Sequence, residues 1–360
     1  MKIYRQTRLL KAFLFVLLLV SFSCQRANIE VDSKQSENEK KVLSYIKKLG
    51  YQPSSIVDMG DRFVVEGDIA FPKNMKVPLD TGRVGLTEQY HNGTLVILRY
   101  QTTIGVRIDP SMAVQNAEIT AAVNLWNNAG AWVRFQIVAT GGQILVTHTP
   151  TLAACGHGQF GVNGLPGNLV EVNLAMVAGD NFNQRMINVA HELGHCIGFR
   201  HTNGDGGIFG IPVPGWGGTD ASSIMNGSSC HNLSTVLSTK DVNAVNALYP
   251  NPYPKNVRID LSYNQFTVKW DLLPPNPSDV LTGYRVDYSV QSGGGSSGTS
   301  ALLSTGTTSF TIPGVVPNPT PSTQNGFASA TVKAIYNTNA NQVTYATNAP
   351  SKYKMNGVWN

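Results

Sequence analysis

Apolar positions recur at helical spacing in residues 37–50, where Val42, Leu43, Ile46 and Leu49 fall on one side. Ile56-Val57-Asp58-Met59-Gly60-Asp61 then leads into an apolar-rich run over residues 62–71, and the Gly60-Asp61 step predicts a turn between short strands. Residues 96–100 and 105–108 are strand-like, and Pro110 closes the second. Residues 113–128 predict an amphipathic helix with Ile119, Val123 and Trp126 inward. Val133, Phe135 and Ile137 alternate with polar neighbours, and residues 143–148 give another strand. A glycine-rich stretch over 156–167 precedes a short strand at 169–174 and a helix over 183–197, in which Met186, Ile187 and Ala190 can pack. A glycine- and proline-rich loop runs to Thr219, followed by a turn at 222–227. Residues 239–249 predict a helix with Ser238 or Thr239 near its cap, Asp241 in its first turn, and Val242, Val245 and Leu248 along one side. Pro250 and Pro252 stop it.

From about Val257 the period changes to two. Phe266, Val268 and Trp270 alternate, as do Tyr284, Val286 and Tyr288, and short runs at 309–312, 328–336 and 342–347 follow between Pro- and Gly-Ser-rich turns. That pattern predicts a β-sandwich over 255–350. The chain, 360 residues long, thus reads as an α+β domain with a twisted mixed sheet over 93–250, followed by an all-β sandwich. Residues 37–92 are few for an autonomous core and read as an N-terminal extension or propeptide.

Charge changes the picture at the N-terminus. Lys2, Arg5, Arg8 and Lys11 precede an apolar run over 12–20, too short for a membrane span and fitting a signal peptide over 1–23. Ser21-Phe22-Ser23-Cys24 resembles a loose lipobox, which would make Cys24 the lipidated first residue of a polar tether over 24–36. The expected location is the bacterial outer membrane or cell surface, through that lipid anchor, or otherwise secretion. Loss of those four cations takes the formal charge from +5 to about +1, which gives no reason to expect a nucleic-acid partner. Export permits a disulfide. Cys155, Cys196 and Cys230 allow three pairings, of which Cys155–Cys230 would staple two loops and leave Cys196 on the 183–197 helix.

The chemistry concentrates in His191-Glu192-Leu193-Gly194-His195-Cys196-Ile197-Gly198-Phe199-Arg200-His201. Histidines four apart on a helix face the same way and can share one metal. Gly198 can end the helix in a left-handed conformation, so that the chain doubles back and offers His201. Three histidines leave a fourth position for water on zinc, and Glu192 is placed to take that water's proton. A structural zinc site would instead need a fourth protein ligand, for which His157 and His231 are candidates. No glutamate follows Glu192, and Asp205 or Asp220 would be needed to replace His201 as third ligand. The run from Asn203 to Gly207 reads as a turn in preference to a calcium contact, since one aspartate is a thin Ca2+ shell.

This string is similar to that of the metzincin zinc metallopeptidases, and the likeness extends over residues 95–249. Ser223-Ile224-Met225-Asn226 resembles their methionine turn, with Met225 as an apolar floor below the histidines, and the 239–249 helix resembles the closing helix of matrixin-like domains. Within metzincins the string resembles that of the bacterial HEIGH-type (M57) peptidases, with Leu193 for their Ile, and residues 60–69 also resemble their N-terminal region. The C-terminal region resembles a fibronectin type III domain. The resemblance implies an exported zinc endopeptidase acting on protein or peptide substrates laid along an edge strand. Val170, Glu171, Val172, Asn173 and Leu174, or the preceding glycine-rich loop, are the candidates for that edge. No tyrosine follows Met225 in the turn, and no Pro-Arg-Cys-Gly-type switch precedes the domain. Two other readings stand beside the peptidase: a surface binding or adhesion lipoprotein with a non-catalytic metal domain, and a zinc amidase acting on a non-protein substrate. The sequence leaves the oligomeric state open.

Overall fold

The computed structural model describes residues 36–77, 89–203, 210–216, 219–227, 230–262, 265–291, 295–313, 327–337, 342–346 and 351–354. The expected signal peptide, most of the tether, Cys24 and Asp205 lie outside the described residues. Among the described residues, no helix is long and apolar enough to cross a membrane.

Helix α1 (Glu37–Lys48) opens with a reciprocal cap: Glu39 N–H donates to Ser36 Oγ, and Ser36 N–H to Glu39 Oε2. It buries Val42, Tyr45 and Ile46. Strands β1 (Val57–Asp58), β2 (Arg62–Val65) and β3 (Ile69–Pro72) form an antiparallel meander beneath it. The expected run over 62–71 is therefore two strands. Glu66 at φ 56° and Gly67 at φ 90° turn the chain between them. β4 (Tyr90–His91) pairs with the later β10 (Ile211–Pro212).

The remaining strands of the main sheet are β5 (Ile104–Ile108), β6 (Phe135–Val138), β7 (Ile144–His148), β8 (Gly156–Gln159) and β9 (Leu169–Val172). The eight-stranded order is β1-β2-β3-β8-β9-β7-β5-β6. β5, β6, β7 and β9 run parallel, β8 is antiparallel to β9, and β3 runs parallel to β8. Residues 96–100, expected as a strand, instead hold a single helical turn, α2 (Leu98–Gln101). Tertiary contacts override the local pattern there: Leu98 N–H donates to Asp279 Oδ2 at 2.8 Å, and Gln101 Nε2 donates to Ser278 Oγ at 3.0 Å.

Helix α3 (Asn116–Asn127) begins later than the pattern predicts because Pro110–Gln115 winds as a 3-10 turn capped by Asp109. Helix α4 (Phe182–Cys196) packs against α3, with Trp126 Nε1 donating to Ala190 O at 2.8 Å. Helix α5 (Thr239–Leu248) adds Ala244, Val245 and Leu248 to the same core, which also holds Ile104, Val106, Ile119, Val170 and Leu193. A smaller cluster of Val42, Ile46, Tyr51, Phe63 and Phe71 joins the N-terminal layer to Phe160.

The C-terminal region is all β. One sheet holds β11 (Arg258–Ser262), β12 (Gln265–Lys269) and β15 (Ser309–Thr311). The other holds β13 (Val280–Gln291), β14 (Ser296–Thr299), β16 (Phe327–Asn337), β17 (Gln342–Ala346) and β18 (Ser351–Lys354), in the order β14-β13-β16-β17, with β18 also pairing with β16. Phe266, Val268, Trp270, Tyr284, Val286 and Val332 form its core, which Leu98 of the first region enters.

His91 carries a consequence for pH. Its Nδ1 accepts the Gly93 N–H at 3.1 Å, and burial lowers its pKa from the ordinary 6.5 to about 4. The unfolded chain therefore binds a proton that the folded chain refuses between those values. Stability is fullest above pH 6.5 and falls as pH drops toward 4, by about 3 kcal/mol from this group. Denaturant unfolding of wild type and His91→Gln should show that fall shrinking by this amount in the variant. An identical fall in both proteins contradicts the assignment.

Candidate metal centre

Helix α4 starts at Asn181, whose side chain accepts the Gln184 N–H while Gln184 Oε1 accepts the Asn181 N–H, both at 3.0 Å. Its period of 3.6 sets His191 and His195 one turn apart with Glu192 beside them, all three buried. The helix ends in a paired-carbonyl cap: Gly198 N–H donates to His195 O at 2.9 Å, and Phe199 N–H to Gly194 O at 3.0 Å. Gly198 sits at φ 99°, which a side chain would adopt only under strain. Beyond it the chain reverses beside β4, where His91 bridges Phe199 and Arg200 N–H donates to Tyr90 O. That reversal delivers His201.

The three rings meet with centroids 4.6, 5.0 and 5.1 Å apart. His191 Nδ1 lies 2.6 Å from Ile224 O, and His195 Nδ1 lies 2.8 Å from Phe199 O. His201 Nδ1 lies 2.8 Å from Glu66 Oε2, close but not aligned for a straight hydrogen bond. All three neighbours can only accept, so with a cation between the rings each keeps its proton on Nδ1 and turns the Nε2 lone pair to the ion; without one, burial is outweighed by the charges of Asp68 and Glu66, which raise the His201 pKa to about 10. The Nε2 atoms then face one another at 3.0 Å (His195 to His191) and 3.2 Å (His191 to His201). Three imidazole nitrogens converging on one point beside a carboxylate suit a cation between them, so this donor set fits zinc. Burial holds His195 well below the usual histidine range, in the neutral form a ligand needs.

Glu192 points from α4 toward β8. Its Oε2 is buried with no protein hydrogen-bond partner. A Cβ on Gly156 would stand 2.5 Å from Glu192 Oε1, and one on Gly158 would stand 2.5 Å from Glu192 O, so these glycines let β8 lie directly on the helix. Burial, and then the charge of Asp68, push the Glu192 carboxyl well above the usual carboxylate range. A bound divalent cation would pull it back down.

Met225 is fully buried, and its Sδ would lie 2.5 Å from a Cβ on Gly194. Asp241 of α5 holds this segment in place. Its Oδ2 accepts Ile224 N–H and Ser238 N–H at 3.0 Å, and its Oδ1 accepts Ser223 Oγ–H at 2.5 Å. Cys155, just before β8, and Cys230, just past the Met225 turn, form a disulfide, while Cys196 is free and buried.

Several expected placements change. Val170, Glu171 and Val172 lie on an inner strand, paired with β7 on one side and β8 on the other, so the run from Val170 to Leu174 offers no free edge. The strand against α4 is β8, inside the glycine-rich stretch. The group that joins the histidines is Asp68, in place of His157 or His231. His157 Nε2 reaches Gly67 O, and His231 pairs with Asp180. Asp220, considered above as a replacement third ligand, accepts from Ser238 Oγ instead. Asp68 Oδ2 lies 3.2 Å from His201 Nε2 and 3.5 Å from His191 Nε2, and ligand atoms of Asp68, His191, His195 and His201 all fall within 4.8 Å of one another. Glu66 and Asp68 lie outside the site residues expected from sequence. The available signal was two carboxylates flanking a glycine inside the apolar run from Phe63 to Phe71.

Residues 63–249 match the sequence profile of the peptidase family described as the dual-action HEIGH metallo-peptidases (Peptidase_M57). A search of curated proteins gives no significant match. Among solved structures, two of myroilysin are similar at 18% and 15% identity. They cover 46% and 56% of this chain and 83% and 97% of theirs, each with a TM-score of 0.32. Wild-type OgpA from Akkermansia muciniphila is similar at 10% identity, over 78% of this chain and 99% of its own, with a TM-score of 0.19. Overlaps this low carry no structural argument, and the assignment rests on the family profile and the metal cluster.

Proposed function

The chain belongs to the dual-action HEIGH metallo-peptidases and is a zinc-dependent endopeptidase; from that premise we propose that His191, His195 and His201 hold the ion and that Glu192 moves the protons. The observation that carries this reading is the orientation of the rings, each with Nδ1 turned to an acceptor and Nε2 turned to a shared centre. Zinc bound there supplies Lewis acidity toward a peptide carbonyl and a water of lowered pKa. Ile224 O, Phe199 O and Glu66 fix the ring orientations and raise the basicity of the nitrogens facing the ion. Glu192, rigid on α4, takes a proton at its free carboxylate oxygen and returns it to the leaving amine. Met225 supports the floor as a methionine turn, and Asp241 fixes that turn from the closing helix. These features support a metzincin-type domain.

Other parts of the reading are also proposals. The C-terminal sandwich is fibronectin type III-like, supported by the Trp270–Tyr284 core pair between its sheets. Cys24 carries a lipid anchor on an exported chain.

X-ray absorption at the zinc edge tests the ligand set. Three imidazole nitrogens at about 2.0–2.1 Å are expected. A sulfur shell at about 2.3 Å would place Cys196 on the metal and contradict the reading.

A further inference from the structure

We propose that Asp279 of the C-terminal sandwich is a positioning residue for the metal centre: it fixes one end of residues 90–101, the segment whose other end holds the Gly198 cap and with it the place of His201. The inference rests on the peptidase reading above and gives the sandwich a part in that site.

The first observation is the grip of this segment on the metal ligands. Arg200 N–H donates to Tyr90 O at 2.9 Å, His91 bridges Phe199, and Asn92 N–H donates to Gly198 O at 3.0 Å. A Cβ on Gly198 would meet Leu95 Cδ2 at 3.1 Å and Thr94 O at 3.2 Å, so segment and cap are in direct contact. Phe199 O lies 2.8 Å from His195 Nδ1, and His201 follows Arg200 in the chain. A shift of the segment therefore moves the acceptor that orients one ligand and the backbone that carries another.

The second observation is the far end. Leu98 N–H donates to Asp279 Oδ2 at 2.8 Å, Gln101 Nε2 donates to Ser278 Oγ at 3.0 Å, and the Leu98 side chain lies in the sandwich core. Asp279 is buried; Ser278 Oγ–H donates to its Oδ2 at 2.8 Å, while Oδ1 has no partner. Burial pushes this carboxyl above its ordinary range. An apolar side chain would close the junction at lower cost. What a carboxylate adds is direction: it holds the Leu98 N–H at one point. Beside it, the Trp132 ring meets Tyr253 and Tyr345 edge-on, with centroids 5.2 and 6.4 Å away, so the junction is packed as well as hydrogen-bonded.

The third observation is the link between the two ends. Gln101 Nε2 also donates to Val96 O at 2.8 Å, and Val96 N–H donates to Tyr249 Oη at 3.3 Å. Tyr249 O–H in turn donates to Ile197 O, in the last residue before Gly198. Tyr249 O accepts the Trp132 N–H at 2.8 Å, which returns the link to the aromatic junction. Asp279 and the Gly198 cap are thus joined by one buried, hydrogen-bonded run of backbone, and a closely packed interior passes on a displacement at one end.

The test uses the full chain, loaded with Co(II) for its visible spectrum and with zinc for transfer to a chelating dye. Asp279→Ala should shift the cobalt bands and speed zinc transfer about fivefold or more, the worth of one buried hydrogen bond. Asp279→Asn keeps an acceptor oxygen for the Leu98 N–H and should restore both readouts. A purely structural part for Asp279 would lower the unfolding midpoint and leave cobalt bands and zinc transfer as in wild type; that result overturns the proposal and leaves Tyr249 as the sole pin of the cap. Ser278→Ala removes the Gln101 contact without leaving an unpaired charge and should move both readouts in the same direction. It decides if Asp279→Ala does not fold, and wild-type bands and transfer in Ser278→Ala would then overturn the proposal. A wild-type chain that holds cobalt or zinc but leaves casein intact contradicts the peptidase reading instead, and the cobalt bands still decide the part of Asp279.

Discussion

Replacing Glu192 with Gln should leave zinc in place and lower casein cleavage by about 10²–10⁴-fold, the usual worth of a positioned general base. The substitution keeps the side chain's size, which matters because Gly156 and Gly158 leave no slack beside it. None of the converging nitrogens belongs to Glu192, so zinc content and thermal unfolding should stay near wild type. The loss should fall on kcat with little change in KM, as for a group acting only in the transition state. Full activity in the Gln variant, or zinc lost with it, would remove Glu192 from the proton-transfer role.

Stripping the metal should have the second large effect, on stability. Without a cation, three imidazole rings and the carboxyl groups of Glu66, Asp68 and Glu192 are crowded in one buried space. A ligand present at about a thousandfold over its dissociation constant stabilises the folded state by about 4 kcal/mol, and zinc sites commonly exceed that. Denaturant midpoints measured before and after exhaustive chelation should therefore separate clearly, and one equivalent of zinc should restore the first. Superimposable unfolding curves would mean that the folded chain holds no tightly bound zinc.

How far this centre can be read from sequence depends on how local each part is. His191, Glu192 and His195 follow from helix arithmetic alone, and Gly198 marks the cap because few other residues tolerate its φ. His201 follows as the next donor past that cap. The Cys155–Cys230 pairing was one of three that the sequence allowed, and the fold brings those two to a Cα separation of 5.5 Å. Asp68 was not legible because nothing in its neighbourhood reports that β3 pairs with β8, a contact between distant segments. The same long-range pairing misled the choice of edge strand. Val170 to Leu174 reads as a short β segment whether it lies inside or at the border of a sheet, and only strand order decides. Residues 96–100 failed for a related reason, since Asp279 from the C-terminal region caps a helical turn too short to show a period of its own.

Peptide hydrolysis by this chain should depend on the zinc ion that His191, His195 and His201 hold. The deciding measurement is casein cleavage by the full chain, with 1,10-phenanthroline and then with one equivalent of added zinc after the chelator is removed. Chelation should abolish cleavage and stoichiometric zinc should restore it. Cleavage indifferent to the chelator, or none with zinc bound, would overturn the assignment.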